Sequence, residues 1–151
     1  MRRLTISAHE ARLLSMLAIR PDEKRDYRTA KRVMQLDDTI RLANQKFDDA
    51  IEEILKRRKP IVQRIEVKMT PEDIELIQEI NTEIENLDKE GKDTILTILL
   101  EDALAETLES LTRDVRGVPT DRINGPAYIR MFEAVEKMEK VSKVKEVPEG
   151  E

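Results

Sequence analysis

Through most of this chain apolar residues return every three or four positions, the spacing of a helix that lays one stripe against a core. Val33, Leu36, Ile40, Ala43, Phe47, Ala50 and Ile54 follow that rhythm within a charged segment from about residue 23 to 58, and form a coiled-coil seam. One helix over that segment would be about 50 Å long, against a radius of gyration of about 15 Å for a compact domain of this length. Such a helix must protrude, break or lie along a partner. A second stripe, Ile74, Ile77, Ile80, Ile84 and Leu87, predicts a helix over 71–89 that stops at Glu90-Gly91. Residues 93–112, with Ile95, Leu96, Ile98, Leu99, Leu100, Leu104, Leu108 and Leu111, are apolar over too wide a face for a surface helix and are expected to be the central core helix. Residues 114–126 hold two of the four glycines and two of the six prolines and read as a loop. A last helix over 126–142 aligns Tyr128, Met131, Phe132, Val135 and Met138, and the acidic tail from Lys143 is expected to fray.

Two stretches alternate instead. Leu4-Thr5-Ile6 and the segment 61–69, clearest at Ile65, Val67 and Met69, read as strands, with Pro60 suited to the start of the second. Single strands need partners, so the two are expected to pair as a ribbon. Each is followed by a capped helix, and Leu4-x-Ile6-Ser7-x-x-Glu10-x-x-Leu13-Leu14 lines up with Val67-x-Met69-Thr70-x-x-Asp73-x-x-Leu76-Ile77 at a constant offset of 63 residues. Ser7 and Thr70 fit N-caps with an acid three residues on, and Pro71 fits a first helical position. The fold expected is therefore mainly α: four or five helices, one of them long and charged, a minor two-stranded ribbon, and a possible β-α-α duplication. Three regions follow: a basic half over 1–60, a strand and two helices with the main apolar core over 61–113, and a loop, helix and tail over 114–151, all in one folded unit.

Composition narrows the chemistry. The chain has 151 residues, no Cys and a single histidine, His9, so thiol nucleophiles, disulfides and any site needing two imidazoles are excluded by counting. Acid doublets such as Asp37-Asp38 and Glu52-Glu53 point about 100° apart on a helix and do not converge on a metal. His9 reads as a surface residue with no triad around it. No enzyme, cofactor or metal is expected. No apolar run approaches the ~20 residues of a membrane span, and charges interrupt the N-terminal stretch, so a soluble, cytoplasmic protein without a membrane partner is expected. Few Asn and Gln beside abundant Glu, Lys and Arg hint at a thermophilic source.

Charge is divided. Residues 1–65 carry 16 Lys and Arg against 10 Asp and Glu, whereas residues 66–151 carry 11 against 22. Arg25, Arg28, Lys31 and Arg32 form one basic cluster, Arg57 and Arg58 belong to another, and Arg116 and Arg122 lie in the loop. Such residues can meet phosphates or the acidic half of the same chain or a neighbour, although only Tyr27 stands among them as a stacking surface. The function expected is non-enzymatic: a binding or assembly protein working through helix surfaces. Nucleic-acid binding by the basic half is the alternative. A homo-oligomer is expected, with the helix from Ile40 to Ile54 meeting its symmetry mate.

The sequence Leu4-Thr5-Ile6-Ser7-Ala8-His9-Glu10-Ala11-Arg12-Leu13-Leu14, the helix with Tyr27-Arg28-Thr29-Ala30-Lys31-Arg32, and Met69-Thr70-Pro71-Glu72-Asp73-Ile74 together resemble small helical accessory proteins of tailed bacteriophages, over about residues 1–90. The resemblance implies a factor for virion assembly or for acting on a host machine, and assigns no functional residue.

Overall fold

The computed structural model describes residues 1–20 and 23–141. Strand β1 (Arg2–Ser7) alternates as its sequence demands, with Leu4 and Ile6 buried and Arg3 and Thr5 exposed. Ser7 ends it and caps α1 (Ala8–Leu14), its hydroxyl accepting from the Glu10 amide at 3.2 Å. A wider π-helical turn, Ser15–Ile19, follows and closes at Arg20 in a left-handed conformation. The Arg25 guanidinium donates to the carbonyls of Arg20 (2.7 Å) and Ile19 (3.0 Å), supplying the partners that the end of a helix leaves wanting.

The expected single long helix is two: α2 (Tyr27–Ala43) and α3 (Gln45–Val67). Asn44 makes the break. Only 2% exposed, it leaves helical geometry (φ −111°) and donates Nδ2 to the Ala8 carbonyl at 2.9 Å, fastening the elbow to the β1–α1 junction. Asparagine suits such a place because its short amide competes with the helical ladder.

The expected strand over 61–69 is also corrected. Helix α3 continues through Pro60 to Val67, turns, and returns as α4 (Pro71–Asp93). The two arms, 23 residues each and about 34 Å long, pack as a hairpin around Ile54, Ile61 and Ile80, flanked by Ile65, Ile77, Ile84 and Leu87. Ile54, Ile61 and Ile65 lie at helical spacing, so the stripe that meets α4 outweighs the short alternation after it. Thr70 caps α4 as Ser7 caps α1, accepting from the Asp73 amide at 3.2 Å. The two segments 63 residues apart thus both start capped helices, and the correspondence does not extend to a second strand.

Gly91 does not stop α4, which runs on to Asp93. After Thr94 the predicted core helix is replaced by strand β2 (Ile95–Leu100) and helix α5 (Asp102–Arg113). Strand β2 pairs antiparallel with β1, from Arg2 opposite Leu100 to Ser7 opposite Ile95. On the other side of β1 lies the two-residue β3 (Glu139–Lys140), giving the order β2-β1-β3. The ribbon expected between Leu4–Ile6 and 62–69 is therefore a three-stranded sheet with a different partner. Residues 114–124 form the loop, two residues shorter than the 114–126 expected, with Gly117 at φ +78°, where a side chain would be strained. Helix α6 (Gly125–Glu136) is shorter than predicted. The tail from Lys143 lies outside the described residues.

One face of the sheet packs against the helices. Leu4, Ile6, Leu14, Ile19, Leu36, Ile40, Ile98, Leu100, Leu108, Met131 and Val135 form this main core, which is distinct from the isoleucine cluster of the hairpin.

Candidate interaction surfaces

The seam is divided by the elbow. Val33, Leu36 and Ile40 are buried in the main core, Ile54 is buried in the hairpin, Phe47 and Ala50 are half-buried, and Ala43 is exposed. An interface at Ile40–Ile54 would need an uninterrupted apolar stripe wanting a partner, whereas most of this stripe finds its partner within the chain.

The cations are divided as well. Arg25 is occupied with the carbonyls after the π-helical turn and with Glu23 at 3.0 Å. Arg57 joins Glu53 (3.2 Å) and Glu83 (2.8 Å), and Arg58 donates to Asn81, so both tie the hairpin arms or brace one of them. Arg28, Lys31 and Arg32 stand exposed on the first turns of α2 and form no ion pair among the described residues. At that end the helix dipole adds to their positive charge. Arg116 and Arg122 are exposed on the loop. There Asp121 shapes the chain: its carboxylate accepts from the amides of Ile123 (3.0 Å) and Asn124 (2.8 Å), and these bonds hold its pKa below the ordinary carboxylate range.

Two clefts flank the elbow. One, of about 600 Å³, contains Arg12 bonded to Asp48 (3.1 Å) and Glu52 (3.0 Å); burial pushes the Asp48 carboxyl up against the opposing pull of Arg12. The other, of about 680 Å³, is lined by Ala43, Phe47, Ala50, Leu87, Gly91 and Leu96. Beside it His9 sits between α1 and α4, mostly covered and 3.6 Å from Asp88, rather than on the open surface expected of it. Among the described residues no group of three or more His, Asp or Glu is placed to hold a metal ion, and no helix is long and apolar enough to cross a membrane.

Two apolar exposures were hidden in the sequence. The hairpin tip presents Val67, 89% exposed, and Met69, 66% exposed. The tip is braced by Arg64, which grips Asp73 with two nitrogens at 2.9–3.3 Å and holds that carboxyl below its usual range. The second exposure is the outer row of β2, Ile95 and Leu99. The sequence expectation places the first in a paired strand and the second in a core helix, because an apolar residue in sequence carries no sign of which side it will face. No family model, no curated protein and no solved structure matches this chain.

Proposed function

We propose that this is a non-enzymatic binding protein, a bacteriophage accessory factor as its sequence resemblance implies, that engages a partner protein through the tip of the α3–α4 hairpin. One observation carries the reading. Beyond Glu52 and before Asp88 the polar contacts of the hairpin run between or along its own arms, and its isoleucine core is separate from the main one. From Glu53 to Val67 that amounts to about 22 Å of helix, ending in two exposed apolar side chains on a turn rigidified by Thr70 and the Arg64–Asp73 pair. Rigid apolar anchors set among charges are what a protein interface uses. The test is affinity capture from host extract with the intact chain and with a Val67→Asp, Met69→Asp variant. A partner held by the first and lost by the second, at equal helicity and melting temperature, supports the reading. A partner retained by both removes it.

Nucleic-acid binding is the second reading, favoured by Arg28, Lys31 and Arg32, which stand exposed at the start of α2 without an ion pair among the described residues. It requires affinity that falls with salt, with a logarithmic slope of roughly −0.9 per phosphate contacted, and that drops when these three residues are replaced by Ala.

A further inference from the structure

We propose that two copies of this chain pair along the free edge of β2, joining their sheets into one six-stranded sheet about a two-fold axis at Thr97. The Ala8 amide donates to the Thr94 carbonyl at 2.8 Å, continuing the β1–β2 register by one position. Hydrogen-bonded and non-bonded pairs alternate along an antiparallel ladder. Leu96, Ile98 and Leu100 therefore direct their amides and carbonyls to β1, and Ile95, Thr97 and Leu99 direct theirs to the side where no strand lies among the described residues. The side chains of the same three residues form the exposed outer row, with Ile95 61% and Leu99 48% exposed. An open edge with this composition invites another strand, and β2 has neither a charge nor a proline to deter it.

A second copy is the occupant that fits, because the row is its own complement. Keeping both helical layers on one side of a joined sheet requires that facing residues come from the same row. An axis at Thr97 meets this requirement: Thr97 faces its own copy, Ile95 faces Leu99, and Leu99 faces Ile95. All three outward-facing residues then pair, for roughly six N–H···O bonds at two per hydrogen-bonded pair, and the exposed aliphatic side chains cover one another. The acids limit the strength and extent of pairing. Asp93 falls opposite Glu101 of the other copy at each end, so the contact stops there and tightens as salt screens the repulsion. Stable specific dimers hide about 800 Å² on each partner; a six-residue strand hides less, which makes this a concentration-dependent dimer rather than a permanent one.

The native chain has no cysteine, so one introduced thiol reports the register directly. Facing Cα atoms of a hydrogen-bonded pair lie about 5.5 Å apart, within disulfide range. With an added oxidant, Thr97→Cys is expected to give a covalent dimer, while Ile129→Cys, at another exposed position, stays monomeric under the same conditions. Sedimentation from micromolar to millimolar chain is expected to show a dimer that strengthens with salt and disappears in Leu99→Lys, with the circular dichroism unchanged. The proposal is overturned by a chain that sediments as a monomer throughout, by a Leu99→Lys variant that still dimerises, or by equal cross-linking of the two thiol variants. A monomer that instead accepts an added extended peptide on this edge would equally remove the second copy as its occupant.

Discussion

A Cβ built on Gly91 would come within 2.6 Å of Phe47 Cε1 and 3.3 Å of the His9 backbone nitrogen. The glycine is therefore there for close approach of α3 and α1 to α4, although in sequence it has the look of a helix stop. Helix propensity alone favours Ala over Gly by about 1 kcal/mol. Because the site is filled, Gly91→Ala is expected to reverse that sign and lose about 1 kcal/mol, within the range of overpacked cores. Urea denaturation measures it, and Phe47→Leu in the same chain should recover part of the loss. His9 gives a second prediction at this scale. Burial lowers its pKa from the ordinary 6.5, against the pull of Asp88 and Glu10 and with the help of Lys92 and Arg130. A lowered folded-state value means that the unfolded chain takes up the proton first, so stability falls as pH drops below about 6.5 and levels off once the folded imidazole is also protonated. An NMR titration should place the imidazole midpoint below 6.5, and His9→Gln should flatten the fall in melting temperature between about pH 7 and 5.

Among the elements, α3 carries a proline in its interior. Pro60 withholds an amide from the Lys56 carbonyl and crowds the preceding turn, a defect of about 3 kcal/mol in an unperturbed helix. Its side chain is exposed, so replacing it removes no packing. Pro60→Ala is expected to stabilise the protein by about 1–3 kcal/mol, read by denaturant midpoint. A variant no more stable than the parent would refute this. The same proline helped to disguise the segment as a strand. Legibility failed in a different way at 93–112, where Leu96, Ile98 and Leu100 turn inward and Ile95 and Leu99 turn outward, yet all five are aliphatic. A strand with both rows apolar shows no alternation and cannot be told from a core helix by period. The starts of α1 and α4 were legible because Ser7 and Thr70 act on amides three residues away.

The whole molecule consists of a helix-backed sheet and a hairpin that stabilises its outer half with its own small core. Cooperative units defined by separate contacts open separately. Native-state hydrogen exchange is therefore expected to show amides of about residues 56–82 exchanging through a sub-global opening at lower free energy than those of β1, α1 and α2. Equal protection in both parts would mean that the hairpin and body unfold as one. At this scale most of the seam expected to drive oligomerisation is covered within the chain, while the proposed pairing along the β2 edge offers a different basis for it.

Local chemistry was enough to establish from sequence the predominance of helix, the capped starts at Ser7 and Thr70, most of the loop expected over 114–126 and the elimination of cysteine and paired-histidine sites. These follow from residue types and from partners a few positions apart. Tertiary structure decided where the long helix breaks, which segment pairs with β1, and which apolar residues remain in water. The break at Asn44 depends on a carbonyl 36 residues away, at Ala8. The pairing of β1 depends on a segment 88 to 98 positions further along the chain. The exposure of Val67, Met69, Ile95 and Leu99 depends on which neighbouring elements cover each face. A hydrophobic side chain reports how strongly it avoids water, but only the packed chain determines whether anything is there to shield it.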